Sequence, residues 1–552
     1  MKALISLLVI LLTVPFTWAQ TTTEELPYSW RTNGVETVDP IVLPALDLDA
    51  IREEDRINDL DKSIPWRYGV ERPLYVNMQT HGQWTELENG GRLWRVAIRS
   101  TGAQNVSINF DRFKLPKGSR LYFYNRERSD LSPTFTADTN RENQLFGSWF
   151  VYGQEIIVEY YQAKRQAENP ILQIGSVIHG YRLSRLEALD FSERGLNDSG
   201  DCQYDVNCPI GADFDNKKDV LKKAVALLNL GNGYLCTATL LNNTASDKTP
   251  FLLTANHCLE NSNPALWSVR FNWMSPNPIC GESSASSDIQ SNFTMSGSQL
   301  RASSELSDFA LVELVNSIPE PWDVAFAGWD NRDLLPEFEI GIHHPKGDIM
   351  KVCRDDSGAV RETADGTEVW LIGGVSAGSG DGWEIGTTES GSSGSPLFDQ
   401  DGRLIGQLFA GRSACEGNTN NKDIDVYGRF GVSWATGNTP ESRLMDWLDP
   451  LDTGQPTTET LQNILSVQDF DLIGDLSIFP NPATNYLTVL NYRYPNLSYS
   501  LFNLLGQEVG SGSLSDSQNL IPLTDLSEGM YLLYLIDGDS GETQTKKIVV
   551  SR

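Results

Sequence analysis

Thr388-Glu389-Ser390-Gly391-Ser392-Ser393-Gly394-Ser395-Pro396 is the stretch on which the reading of this chain turns. A Gly-x-Ser-Gly-x-Pro turn holds a serine hydroxyl away from the backbone and aims neighbouring N–H groups at one point. Acyl transfer needs both: a nucleophile, and donors for the oxyanion that forms on attack. A Gly/Ser-rich turn alone is most often only a turn. The reading therefore depends on what else the chain supplies.

Upstream, Phe251-Leu252-Leu253-Thr254-Ala255-Asn256-His257-Cys258 is an apolar strand that ends on a histidine. Between the two stretches, Ser307-Asp308-Phe309-Ala310-Leu311-Val312-Glu313-Leu314 places an aspartate at the mouth of an alternating strand. A serine hydroxyl is a weak nucleophile at neutral pH and needs a base, His257. The imidazole in turn needs a buried carboxylate, Asp308, to fix its tautomer and stabilise its charged form. The chain order His, Asp, Ser resembles that of the chymotrypsin-like double β-barrel and differs from the subtilisin and α/β-hydrolase orders. With five histidines in the whole chain, rival bases are few.

At 552 residues the chain exceeds one hydrophobic core and divides into about three domains. Residues 1–19 read as a signal peptide: Lys2, an apolar run from Leu4 to Val14, and a small-x-small site at Thr17-Trp18-Ala19. That run is too short to span a bilayer, so an exported, secreted or cell-surface product is expected. A net charge of −30 argues against nucleic acid or anionic lipid as partners. All seven cysteines fall between Cys202 and Cys415. In an exported chain this reads as a disulfide-stapled domain with one thiol left over. No Cys-x2-Cys or paired-histidine spacing suggests a metal site, and the chemistry calls for no cofactor.

Residues 20–194 lack cysteine and read as strands and turns, with Leu93 to Ile98, Arg120 to Tyr124 and Ile156 to Tyr161 as strands and Leu115 to Gly118 as a turn. Between a signal peptide and a protease, a β-rich pro-domain is expected, with an independent substrate-binding module as the alternative. Residues 195–451 carry many short strands with Gly/Ser/Asn loops, as in all-β barrels, and helices are predicted at Asp219 to Leu230 and Ser442 to Leu448. Residues 452–469 are polar and read as a linker. Residues 470–552 read as a small antiparallel β-sandwich without catalytic residues.

The central block resembles lysyl endopeptidase, a secreted bacterial serine protease of the trypsin-like superfamily. The resemblance rests on Cys202-Gln203-Tyr204-Asp205-Val206-Asn207-Cys208-Pro209, on Leu241 to Ala245 and His257-Cys258, and on Ala327-Gly328-Trp329-Asp330. It continues through Ile342-His343-His344-Pro345, the serine turn, Gly406-Gln407-Leu408 and Tyr427-Gly428-Arg429. It implies His257, Asp308 and Ser393 as the catalytic residues and the N–H groups of Gly391 and Ser393 as the oxyanion hole. It also implies disulfides Cys202–Cys415, Cys208–Cys280 and Cys236–Cys258, with Cys353 left unpaired. The last bridge would pin the loop of His257, with a loop-closure effect of roughly 3 kcal/mol.

A trypsin-type pocket carries its acid six residues before the nucleophile, and Thr387 stands there. The resemblance instead places the acid just before Tyr427-Gly428-Arg429, at Asp425, with Asp423 as the neighbouring alternative and Thr388 and Phe409 as further pocket residues. A buried carboxylate there would pair with a substrate ammonium and reject an apolar side chain. Two departures stand out. Phe409 replaces the family's histidine after Gly406-Gln407-Leu408, leaving a ring-on-ring stack with Trp370 as the expected substitute. Arg412 could alter the subsites or compete for Asp425.

The residue before Ser393 is Ser392 rather than aspartate, so the trypsin switch on a newly cut N-terminus has no counterpart. The segment Arg112-Phe113-Lys114-Leu115-Pro116-Lys117-Gly118 is similar to lysyl endopeptidase pro-regions, and removal by self-cleavage near Arg194-Gly195 is expected. The last block resembles the C-terminal sorting domain of the type IX secretion system, through Phe479-Pro480-Asn481-Pro482-Ala483, Gly506-Gln507, Gly529-Met530-Tyr531 and Lys546-Lys547. That implies the secretion machinery as partner and a route through the periplasm. The expected activity is hydrolysis after lysine or arginine in protein and peptide substrates by a monomer. The alternatives are a glutamyl or general trypsin-like endopeptidase and a catalytically inactive surface-binding homologue.

Overall fold

The computed structural model describes residues 26–32, 37–164, 168–183, 198–282, 286, 293–364, 366–374, 381–462, 476–479, 483–491, 494–503, 507–524, 526–527, 529–538 and 543–550. The signal-peptide reading, the Arg194-Gly195 site and Pro480 to Pro482 lie outside the described residues. The chain forms two compact units, residues 1–462 and 463–552. No helix among the described residues is long and apolar enough to cross a membrane.

The N-terminal block is a sandwich of two five-stranded sheets. One is built on Arg92–Ser100 and Glu155–Gln162, the other on Asn105–Lys114 and Ile171–Gly180. Their inner faces meet in a core of Val96, Val158, Ile108 and Ile174, closed by the packed rings of Phe110, Phe113, Phe123 and Phe146. Leu93 to Ile98 reads as alternating in sequence, yet all six residues are buried in the strand Arg92–Ser100, because neighbouring segments cover the outer face as well. A helix, Asp49–Asn58, follows the first strand of the sandwich, Pro40–Leu43, and precedes the rest. The short strand Trp66–Arg67 leaves this block to pair with Tyr234–Leu241 of the next. Trp66, Tyr68 and Phe150 pack there with Leu227, Leu235 and Ile349, so the two blocks share a core.

The central block is two large antiparallel sheets, the double β-barrel expected from the chain order. The first runs through Ser268–Phe271, Val225–Asn229, Tyr234–Leu241, Phe251–Ala255 and Phe309–Leu314. The second runs through Lys351–Asp355, Glu339–His343, Pro396–Asp399, Leu404–Gly411, Asp425–Arg429 and Thr367–Ile372. The helix predicted from Asp219 to Leu230 is instead the helix Asp215–Leu221, a 3-10 turn and the strand Val225–Asn229. Every residue of that strand is buried, and a short apolar run enclosed on both faces gives no period that separates strand from helix. The second predicted helix is shorter than expected, at Met445–Leu448.

The segment read as a linker is partly structured. Thr457–Thr458 pairs with Trp329–Asp330, and Leu461–Gln462 with Ala325–Phe326, so the chain returns to the barrel before leaving it. The C-terminal unit is a sandwich of a three-stranded and a four-stranded sheet around Leu487, Val489, Leu501, Ile521, Leu533 and Leu535.

Candidate active site

Each barrel delivers half of the site. Strand Phe251–Ala255 pairs antiparallel with Phe309–Leu314, Ala255 opposite Phe309, so His257 and Asp308 leave the same end of one strand pair. Asp308 adopts a left-handed backbone, φ 50°, a conformation that aspartate tolerates better than most residues. Its carbonyl oxygen accepts the Asn256 N–H at 2.8 Å and the Gln407 side-chain amide at 3.2 Å. Its carboxylate grips the histidine twice: Oδ1 accepts the His257 backbone N–H at 2.9 Å, and Oδ2 lies 2.8 Å from Nδ1. Burial raises the Asp308 carboxyl above its ordinary value, and His257 opposes the rise. With Nδ1 held by a carboxylate, Nε2 is the atom left to exchange a proton.

Ser393 comes from the second barrel, just ahead of Pro396–Asp399. Its carbonyl accepts the Thr237 N–H at 2.8 Å. Thr237 follows Cys236, which is bonded to Cys258 beside His257. The serine turn and the histidine loop are thereby tied to one strand. Gly394 packs so closely that a Cβ would lie 2.6 Å from the Thr237 carbonyl, and its φ of +80° excludes most other residues. Within the turn the N–H groups of Ser392, Gly394 and Ser395 bond to Glu389, Leu408 and Ser392 carbonyls. Among the described residues the N–H groups of Gly391 and Ser393 meet no acceptor, which leaves two adjacent donors for an oxyanion.

Ser392 is held differently from an aspartate at that place. Its Oγ lies 2.7 Å from Nδ1 of fully buried His343, which burial keeps well below the ordinary imidazole range. Glu389, also in the turn, pairs with Lys346 at 2.8 Å and accepts the Gly200 N–H and the Gln203 amide. Burial alone would raise the Glu389 carboxyl; the Lys346 ammonium and these donors bring it below its ordinary value.

Beside the serine turn lies a closed polar pocket whose floor is Asp425, fully buried. Oδ2 accepts hydrogen bonds from Thr388 Oγ1 at 2.7 Å, Ser413 Oγ at 2.6 Å and Trp383 Nε1 at 2.7 Å. Oδ1 is 2.7 Å from the Nζ of Lys62, a residue of the N-terminal block. The same ammonium donates to Thr388 Oγ1 at 2.6 Å and Ser413 Oγ at 2.7 Å, so its three N–H bonds are all used. Burial pulls the Lys62 amine below its ordinary value, and Asp425 opposes this. The Lys62 carbonyl accepts a 2.9 Å hydrogen bond from Ser393 Oγ. Lys62 thus places its ammonium on the buried acid and its carbonyl at the serine hydroxyl.

The sequence pointed to Asp425 and Thr388 but gave no sign of Ser413, Trp383 or Lys62, which join the pocket from distant positions. Phe409 sits at the bulge between Leu408 and Ala410, half-buried, and offers Lys62 no polar contact. The expected Phe409–Trp370 stack does not form: the Arg429 guanidinium covers the Trp370 ring at 5.2 Å, and Trp370 Nε1 bonds to the Ile405 carbonyl. Arg412 does not reach Asp425; it pairs at 3.3 Å with exposed Asp423. The cysteines bond as Cys202–Cys415, Cys208–Cys280 and Cys236–Cys258, and Cys353 is a buried free thiol. Cys236, His257 and Cys258 cluster closely enough for a metal, but the bridge consumes both sulfurs.

Comparison with known proteins finds similarity in the central and C-terminal blocks. Residues 196–428 match the model described as "Lysyl endopeptidase, C-terminal domain", and residues 477–551 match "Secretion system C-terminal sorting domain". A lysyl endopeptidase of Pseudomonas aeruginosa is 28% identical over 247 residues, 43% of this chain. The chain spans half the length of that relative. Among solved structures, an inactive form of Rv3671c from M. tuberculosis H37Rv aligns with 12% identity and TM-score 0.25 over 39% of this chain and 84% of the other. Deg5 aligns with 12% identity and TM-score 0.24 over 39% and 87%.

Proposed function

We propose that this chain is a secreted serine endopeptidase that cuts peptide bonds after lysine. The observation that carries the reading is the direct 2.7 Å contact between a lysine ammonium and buried Asp425. A lysine fills the pocket to its floor and saturates the acceptors there, Asp425, Thr388 and Ser413. Arginine is longer and presents a planar fork, so it would overshoot a carboxylate that lysine already touches. A glutamate side chain would meet a buried carboxylate of its own sign.

In the proposed reaction the substrate carbonyl lies over Ser393. His257 Nε2 takes the hydroxyl proton as Oγ bonds to the carbonyl carbon, and Asp308 stabilises the resulting imidazolium. The oxygen, now negative, is held by the N–H groups of Gly391 and Ser393. Collapse expels the amine, which takes the proton from His257, and leaves an acyl-serine. Water, deprotonated by His257, then releases the acid and restores the serine. No step calls for a cofactor. The sorting domain supports export by the type IX machinery, and the N-terminal block is proposed as the pro-domain lost on the way.

The test is digestion of a random peptide library with the processed, secreted protein. Lysine should precede the great majority of cuts, with arginine at least tenfold rarer. Equal cutting after both would replace this reading with a trypsin-like one.

A further inference from the structure

We infer that Lys62 is a built-in plug: it fills the lysine pocket of its own chain while its main chain is held in a form that the serine cannot attack. The inference rests on the pocket reading proposed above and adds a residue of the N-terminal block as the pocket's first occupant.

The side chain of Lys62 makes every contact a bound lysine would make, and the main chain makes almost none. Ser393 spends its hydroxyl proton on the Lys62 carbonyl oxygen rather than on His257, whose buried Nε2 meets no hydrogen-bond partner among the described residues. The Gly391 and Ser393 N–H groups remain unused, so that carbonyl does not occupy the oxyanion hole. Nor is the segment extended. Lys62 and Ser63 sit at the centre of a turn closed by the Ile64 N–H on the Asp61 carbonyl, 3.3 Å. Asp61 Oδ1 clamps the same turn by accepting the Ser63 N–H at 2.9 Å and the Ser63 hydroxyl at 2.6 Å. Peptides recognised through their main chain usually add a strand to an exposed edge. Among the described residues the strand Leu404–Gly411 instead pairs with segments of its own barrel.

The turn is held from behind. The helix Asp49–Asn58 leads into it, and Asp55 near the end of that helix is buried. Asp55 accepts Arg67 Nε at 2.8 Å and the Tyr181 hydroxyl at 2.6 Å, and pairs with Arg182 at 2.7 Å. Arg67 belongs to the strand that pairs with the first barrel. A continuous set of contacts therefore runs from the barrel through Asp55 to the turn that carries Lys62.

The test uses the full-length Ser393→Ala chain, which cannot process itself, and a fluorescent tetrapeptide ending in lysine amide. With Lys62 present the peptide should bind at least a hundredfold more weakly than with Lys62→Ala. Lys62→Gln, which can still hydrogen-bond to the pocket hydroxyls and so spares the fold, should fall between the two. A matched peptide ending in norleucine should gain nothing from either change. Equal lysine-peptide affinity in all three proteins, each with a native thermal transition, would overturn the plug. The pocket reading fails separately, because the processed enzyme has lost this segment: lysine selectivity there with no gain in Lys62→Ala condemns the plug alone.

Discussion

Trp383 Nε1 donates a 2.7 Å hydrogen bond to Asp425 Oδ2, and both side chains are fully buried. With Thr388 and Ser413 on the same oxygen, this bond turns Oδ1 toward the ammonium site. A buried carboxylate is tolerable only when its lone pairs are used; these three donors occupy one oxygen and leave the other for an ammonium. Trp383→Phe keeps the ring and removes the donor. Because a hydrogen bond to a charged group contributes about 1.5–3 kcal/mol, kcat/KM for lysyl peptides should fall about tenfold to a hundredfold. Steady-state kinetics of the processed enzyme check it.

Asp425→Asn removes the charge and keeps the shape. Leaving a buried ammonium unpaired costs about 3–5 kcal/mol, so lysyl peptides should lose about two to four orders of magnitude in kcat/KM. Cleavage after norleucine should change far less. A parallel loss for both substrates in a competition assay would show that Asp425 supports the fold rather than the pocket.

Arg412 is exposed and paired with Asp423, away from the pocket floor. Arg412→Ala should leave the ratio of lysine to arginine cutting within about twofold, since exposed pairs contribute about 1 kcal/mol or less. Mass-spectrometric counting of library products measures that ratio.

Lys346 and Glu389 lie against the serine turn, and Glu389 is nearly inaccessible. Lys346→Met should destabilise the chain by about 3–5 kcal/mol, because the carboxylate stays buried without its partner. The Glu389 carboxyl lies below its ordinary value, so its contribution is present above about pH 4.5 and is lost as pH falls through the depressed value. Denaturant titrations of both proteins at pH 7 and pH 3 should show the gap narrowing in acid.

His344 is buried, stacks on Trp273, and lies with Nδ1 2.9 Å from the Asp348 carbonyl; burial lowers it to about 4. A histidine kept neutral in the fold takes up protons more readily when unfolded, so stability falls as pH drops from about 6.5 to about 4. The loss is on the order of 3 kcal/mol for a shift of that size. His344→Asn should flatten this part of the stability curve, as thermal melts across the range would show.

The site was legible in the sequence where chemistry demands residue types in a fixed chain order. The turn around Ser393, the strand ending at His257 and the strand opening at Asp308 each carry a local pattern, and the fold joins them through one strand pair and one bridge. Asp425 was reached only through family resemblance, since nothing near it says that it is buried. Lys62 and Ser413 were invisible, because a lysine in a polar turn and a serine in a loop have no pattern that reveals a distant partner. The strand Val225–Asn229 was misread for another reason: an apolar run enclosed on both faces looks alike as helix or strand. The Trp370 contact went to Arg429, two residues along the neighbouring strand from Tyr427, which lies opposite the tryptophan.

Fluorophosphonate labelling of the processed enzyme, read by intact mass and peptide mapping, tests the central claim most directly. One adduct on Ser393, absent from Ser393→Ala and slowed at least a thousandfold in His257→Ala, is expected from an imidazole that activates that hydroxyl. An adduct on another serine, or labelling of Ser393 at an unchanged rate without His257, would contradict it.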